Sequence, residues 1–420
     1  MAIAQREPAP GLVHRPDGVK AALEGGHDLD PGTRGADSCL PDPHGGAQAG
    51  RSSGRSPTSP RSVTREGPSD RRHPLVAILA MAAAAVLTGA RSITAIAEWA
   101  ADSLQPVRAA LGARRDAPDR WVVPAEATIR RTLARVDSDL LAAVIGAWLA
   151  DRDRPGQQHR RRAVAVDGKT LRGARRDGRQ VHLLAAMDHT TRAVLAQCQV
   201  NGAPGEVPGF QPLLRDLVLT GTVVTADALH THGDAAEFLV TRKYAHYLFT
   251  VKANQPTLLD RCVRLPWQQV PVLDRTRDRA HGRVELRTLK AVSVRGFGFP
   301  HTAQVIQVTR RIRGLRSRRW QTVTVYAVTS LTHAQASPAR LADLIRGHWA
   351  IENGLHYVRD VTFEDASQVR AGTGPQVMAC LRNLVIGALS RAGPVNLAAA
   401  LRHHSRDPRR QLTTLGITLE

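Results

Sequence analysis

From His73 to about Leu149 the apolar positions recur with a helical period. The stretch ITAIAEWAADSL places Ile93, Ile96, Ala97 and Trp99 at helical spacing. PAEATIRRTLARVDSDLLAAVIGAWLA predicts two more helices, the first opened by Pro124, whose fixed φ suits a first turn. There Ile129 and Leu133 mark one face and Arg130, Arg131 and Arg135 another. The longest apolar run, Pro74–Gly89, has sixteen residues and is mostly alanine. A membrane span needs about 20 residues, so a buried helix is expected here.

After the polar, basic linker DRDRPGQQHRRR (151–162) the pattern changes to short strands. AVAV (163–166) is a continuous apolar run ending at Asp167. HLLAAM (182–187) and AVLAQCQV (193–200) flank DHTTR, which predicts a hairpin. PGFQPLLRDLVL reads as a helix, TVVTAD as a strand ending at Asp227, HGDAAEFLVTRK as a helix and AHYLFTVK as a strand. The order is therefore three strands, helix, strand, helix, strand: a mixed α/β class. Residues from about 261 to 335 form a β-rich, basic insertion, with GRVELRTLKAVSV, HTAQVIQVTRRIRG and RRWQTVTVYAVTSL as its strands.

SPARLADLIRGHWAIENGLHYV follows, with Ser337 as N-cap and Pro338 in the first turn. On a regular helical wheel His348, Glu352, His356 and Arg359 fall within roughly 80° of one another. Leu344, Ile351, Leu355 and Val358 form an apolar stripe beside them, where Trp349 is expected to pack. One carboxylate ringed by bases thus lies next to a core face.

Charge changes the picture. The 420 residues carry a net charge of +21, mostly from arginine. Such a balance speaks of partners, and nucleic acid comes first because arginine pairs with phosphate and releases counterions. Residues 1–70 are rich in Ser, Pro, Gly and Arg without a hydrophobic period, which predicts a disordered basic leader. A helical region over 71–150, an α/β region over 160–400 and a basic C-terminal tail over 401–420 complete the expected organisation. The four scattered cysteines exclude a disulfide framework or zinc ribbon and suit a reducing cytoplasm, and no secretory leader is visible.

Asp167 and Asp227 each end a buried β-run. On neighbouring strands their side chains converge, and two close carboxylates repel unless a cation intervenes. Hard oxygen ligands suit Mg²⁺ or Mn²⁺. Glu352, on a helix crossing the same sheet edge, would complete a site for two ions, the arrangement that cleaves or transfers phosphodiester strands. Each residue also has a plain reading: DGKT as a turn, and Glu352 in i,i+4 contacts with His348 and His356. A metal held by His348, Glu352 and His356 alone is excluded, because the outer pair lie about 12 Å apart along the helix.

The stretches RHPLVAILAMAAAAVLTGARSITAIAEWA, ATIRRTLARVD, AVDGKTLRGA, VTADALHT, YLFTVKANQPTLL, HGRVELR and HWAIENGLHYVRDVTFEDAS span about residue 70 to 395. Together they resemble an insertion-sequence transposase of the DDE superfamily, of the ISAs type, related to the IS-four-like group. The resemblance implies an RNase H-like mixed sheet flanked by helices, and a metal-dependent reaction on transposon ends with two Mg²⁺ or Mn²⁺ ions. It matches Asp167, Asp227 and Glu352 to the catalytic carboxylates. The related group's Tyr, Arg, Glu, Lys signature falls here on Ile345, His348, Glu352 and Arg359, so the tyrosine hydroxyl is missing. His348, His356 and Arg359, with Lys169, Lys252, Arg130 and Arg131, are the candidates for DNA or phosphate contact, and Asn353 belongs to the same block. Double-stranded DNA is the expected partner, with two or more copies of the chain pairing two ends, in the cytoplasm at the nucleoid and away from membranes. A DNA-binding protein that keeps only the transposase shell is the competing expectation.

Overall fold

A computed structural model of the chain describes residues 19–25, 73–152, 161–176, 179–202, 205–280, 282–317, 319–364, 369–370, 372–391 and 396–419. Eleven strands and fourteen α-helices are found among them. Residues 19–25, inside the stretch expected to lack order, form helix α1 (Val19–Gly25) with Val19 and Leu23 buried. The rest of that leader lies outside the described residues, as does Cys39.

The apolar run becomes α2 (Leu75–Leu87), with every residue from Ala77 to Leu87 buried. Helices α3 (Ile93–Asp102) and α4 (Gln105–Ala110) follow, then a hairpin, β1 (Arg114–Ala117) and β2 (Arg120–Val122), that the helical reading did not anticipate. Helix α5 (Glu126–Leu133) starts at Glu126, two residues beyond Pro124, and α6 (Ser138–Asp151) is capped by Asp137. Among the described residues no helix is long and apolar enough to cross a membrane.

The strand and helix order then follows the hydrophobic runs: β3 (Ala163–Arg176), β4 (Arg179–Asp188), β5 (Val194–Val200), α7 (Glu206–Leu214), β6 (Val223–Ala226), α8 (Gly233–Glu237) continued by a π-helical turn (Phe238–Arg242), and β7 (His246–Val251). After α9 (Pro256–Val263) come β8 (Asp274–Ala280), β9 (Arg283–Ser293), β10 (Gln304–Gly314) and β11 (Gln321–Thr329). The last four do not make a separate module. Strand β11 pairs antiparallel with β7, so all nine strands form one sheet in the order β5-β4-β3-β6-β7-β11-β10-β9-β8. Only the β3–β6 and β6–β7 pairs are parallel.

Both faces of the middle of this sheet are buried, as its near-continuous hydrophobic runs require, whereas β8 and the far ends of β10 and β11 are largely accessible. On β6, β7, β10 and β11, Val223, Leu248, Ile306 and Ala327 join one cluster, while their neighbours Val224, Tyr247, Val305 and Val328 join another. The first cluster packs under α10 (Pro338–Ile351) through Leu341 and Leu344. The second is the larger core and takes in α1, α2 and α6 together with α12 (Gly374–Ser390). The N-terminal helices therefore share a core with the sheet. The expected C-terminal tail is folded as well: α13 (Leu397–His404) and α14 (Pro408–Leu415) bury Leu401, Leu412 and Leu415 in that core.

Candidate functional site

Strand β3 does not stop at Asp167. It runs ten residues past Val166, because β4 continues to pair with it through Gly168, Lys169 and Thr170. What stops is β6: the β3–β6 ladder ends with Val166 opposite Ala226. Asp167 and Asp227 are the next residue on each strand. Parallel neighbours lie about 4.8 Å apart, so the two aspartates follow side by side just past the last paired rung, Asp167 still within β3 and Asp227 beyond the end of β6. Asp227 then caps a short 3₁₀ turn (Ala228–His230), its Oδ1 accepting from the Leu229 amide at 2.9 Å.

The long helix brings the third carboxylate. It is not one regular helix: α10 ends at Ile351, a π-helical turn covers Glu352–His356, and α11 (Tyr357–Val361) resumes the α pitch. A π turn holds more residues than an α turn and shifts the phase of everything after it. Glu352 stays exposed at the junction, whereas His356 and Arg359 are carried inward. His356 is buried with its Nδ1 3.4 Å from Asp167 Oδ2. Burial, then the charges of Arg359 and Lys169, hold it down at about 3, so this pair is a neutral imidazole beside a carboxyl group. Arg359, expected at a phosphate, is wholly buried, with Nη1 3.4 Å from Gln197 Oε1; the phase shift removes it from solvent.

The other candidates sort by what they touch. His348 is buried, its Nδ1 3.2 Å from Thr225 Oγ1, which also lies 2.8 Å from His189 Nε2. Burial pushes His348 down to about 4. Lys169 is ion-paired to Asp360. Lys252 is exposed close to His348. Arg130 and Arg131 are exposed on α5, with Arg130 paired to Glu126. Trp349 does not pack in the core: 36% of it is accessible, and Arg287 and Arg310 stand over its ring at 5.4 and 5.2 Å. Buried Glu285 holds both guanidinium groups. A cleft of about 320 Å³ is lined by Trp349, Asn353, Arg192, Arg287 and Arg346; Glu352 is the chain neighbour of Asn353 but does not itself line it.

Electrostatics ties the carboxylates together. Asp167 is pushed up to about 7, first by burial, then by the charges of Asp227, Glu206 and Glu352. Glu206 is a residue that periodicity could not find. It opens α7 on the far side of β3, with Oε1 2.7 Å from His182 Nε2 and Oε2 3.0 Å from His230 Nε2. The one local trace of it is the glycine of DGKT: a Cβ on Gly168 would lie 2.2 Å from the Glu206 carboxylate. That segment is a strand with a close neighbour, not a turn. Among the described residues no group of three or more His, Cys, Asp or Glu side chains is placed to hold a metal ion as the side chains stand. Asp227 and Glu352 nevertheless lie close enough for their charges to raise Asp167, a repulsion between hard oxygen donors that a divalent cation would relieve.

The chain is similar in sequence to proteins whose names include the word transposase. The "Putative transposase YncI" of Escherichia coli O157:H7 is 25% identical over 288 residues, 64% of this chain and 71% of that protein. The "H repeat-associated putative transposase YhhI" of Escherichia coli strain K12 is 24% identical over 286 residues, 64% of this chain and 74% of that protein. Among solved structures, a piggyBac transposase synaptic complex with hairpin DNA aligns with 83% of this chain and 75% of that one, at a TM-score of 0.36 and 11% identity. Residues 65–149 match the family described as DDE_Tnp_1-associated, and residues 158–387 match the one described as Transposase DDE domain. The latter covers more than half of the chain and the whole nine-stranded sheet, and the chain belongs to that family of DDE transposases.

Proposed function

We propose that the chain is an insertion-sequence transposase of the ISAs type that binds the terminal inverted repeats of its element and cuts and joins DNA at Asp167, Asp227 and Glu352. The observation that carries this reading is the set of crowded carboxylates: two at the point where the β3–β6 ladder ends, and a third close enough for its charge to help push Asp167 up to about 7. The strand order β5-β4-β3-β6-β7, antiparallel on one side of β3 and parallel on the other, supports an RNase H-like core over about 160–400. Residues 71–150 are its helical accessory region, and the strands of 261–335 its basic extension.

Two Mg²⁺ or Mn²⁺ ions, when bound, would activate the attacking water or 3′-hydroxyl and stabilise the leaving oxygen. Asp167, Asp227 and Glu352 would hold them. The rest of the chemistry belongs to the chain. His356, neutral beside Asp167, restrains that carboxylate without neutralising it. Arg192 and Arg346 meet phosphates in the cleft that Asn353 lines, and Trp349, stiffened by its two arginines, offers a stacking surface for a base. Exposed Lys252, Arg130 and Arg131 add sequence-independent attraction to the duplex. Two copies pair the two ends of the element.

Nicking of end-containing DNA with Mg²⁺, wild type against Glu352→Gln, tests the reading. Loss of product in the variant with DNA retention intact is expected. Equal activity in both removes Glu352 from the mechanism.

A further inference from the structure

The β3–β6 ladder ends one residue before both aspartates, so strand pairing alone does not fix their spacing. On the opposite face of the sheet four side chains run from one aspartate's strand to the other's turn. Thr170, three residues after Asp167, has Oγ1 2.8 Å from His182 Nδ1 on β4. His182 Nε2 reaches one oxygen of Glu206 at 2.7 Å, and His230 Nε2 reaches the other at 3.0 Å. His230 ends the turn that Asp227 caps. The three central groups are sealed from solvent: His182 and Glu206 are 5% exposed and His230 1%. Gly168, adjacent to Asp167, has no side chain to keep the Glu206 carboxylate from lying directly beneath its Cα.

We propose that Glu206, clasped by His182 and His230, is a positioning residue that fixes the distance between Asp167 and Asp227 where the backbone ladder no longer does. This rests on reading those two aspartates as the cation-holding pair. A carboxylate suits the task because it accepts from two imidazole N–H groups at once, one from each side of the gap. An amide at the same place offers one accepting oxygen and one donating nitrogen. Glu206→Gln therefore keeps the volume and breaks the symmetry of the clasp. Residues of this kind, hydrogen-bonded behind ligands, typically change metal affinity when altered while leaving the fold in place.

The test uses the full-length chain. Calorimetric titration with Mn²⁺, without DNA, is expected to show affinity about 10-fold lower in Glu206→Gln than in wild type, and lower still in Glu206→Ala. Hydrogen exchange should quicken in peptides covering 166–171 and 227–231 and stay unchanged in α2 and α12. Cleavage of end-containing DNA should recover in Glu206→Gln at saturating Mn²⁺. Should Glu206→Ala fail to fold, Glu206→Gln and His182→Gln carry the comparison. Mn²⁺ affinity within twofold of wild type in both folded variants, while Asp167→Asn loses it, overturns the clasp and leaves the site reading intact. Wild-type Mn²⁺ affinity in both Asp167→Asn and Asp227→Asn sinks the site reading, and the clasp with it.

Discussion

Asp167 and Glu206 are two carboxylates on opposite faces of the same piece of strand, and the protein treats them in opposite ways. Burial pushes both up. For Glu206 the hydrogen bonds and charges of His182 and His230 outweigh burial and hold it down at about 2. For Asp167 the neighbours are Asp227, Glu206 and Glu352, which push it further, to about 7. One carboxylate is completed by the chain. The other has a neutral imidazole at 3.4 Å and three carboxylates whose charges act on it, which fits its proposed role of holding a cation from outside the chain.

The largest effect expected from breaking this contrast is on activity. Asp167→Asn should lower DNA strand cleavage by about 10³-fold, equivalent to about 4 kcal/mol in the barrier, while the thermal midpoint without cations stays level or rises, because a repelled carboxylate has been removed. A fall in midpoint measured by calorimetry would show that Asp167 is an ordinary structural aspartate. Next comes the packing that separates the two groups. Gly168→Ala should cost about 1–3 kcal/mol in denaturant unfolding, since the new methyl meets the Glu206 carboxylate. Adding Glu206→Ala should recover part of that loss, a coupling that unlinked sites would not show.

The remaining effect is in pH. The folded value of Asp167 lies above its ordinary 3.8, so the fold binds its proton more tightly than the unfolded chain. Cation-free stability should therefore fall as pH rises from about 4 to about 7, and this part of the slope should vanish in Asp167→Asn. Glu206, held below its ordinary 4.5, has the reverse sign: its contribution is complete above that value and is lost as pH falls towards about 2. Parallel pH profiles for wild type and Asp167→Asn between 4 and 7 would erase the contrast.

Much of this architecture is legible in the sequence, and the boundary of what is legible is physical. The run of strands and helices from 163 to 251 shows itself because each strand is buried on both faces and writes its hydrophobicity continuously along the chain. The stretch Gly168–Arg176 hides because it is polar and glycine-bearing, and it becomes strand only through pairing with β4. The pairing of β11 with β7 hides because its partners, such as Val328 and Phe249, lie far apart in sequence. The π turn at Glu352–His356 leaves no periodic trace, so a regular wheel put Arg359 beside Glu352 when the fold buries it. Trp349 misled for a related reason: its ring belongs with Arg287 and Arg310 of β9 and β10, two strands whose approach to α10 no local pattern announces. His182, Glu206 and His230 come from three separate elements, and only their meeting gives them a shared role.

The single sheet has a mechanical consequence. Strand β8 stands five places from β6 in an unbroken ladder, and at about 4.8 Å per place the basic outer edge is about 24 Å across from Asp227. Among the described residues every step of that span is a row of hydrogen bonds between paired strands. The edge and the aspartates are therefore like two marks on one ruler: whatever seizes the far mark is held at a set length from the near one.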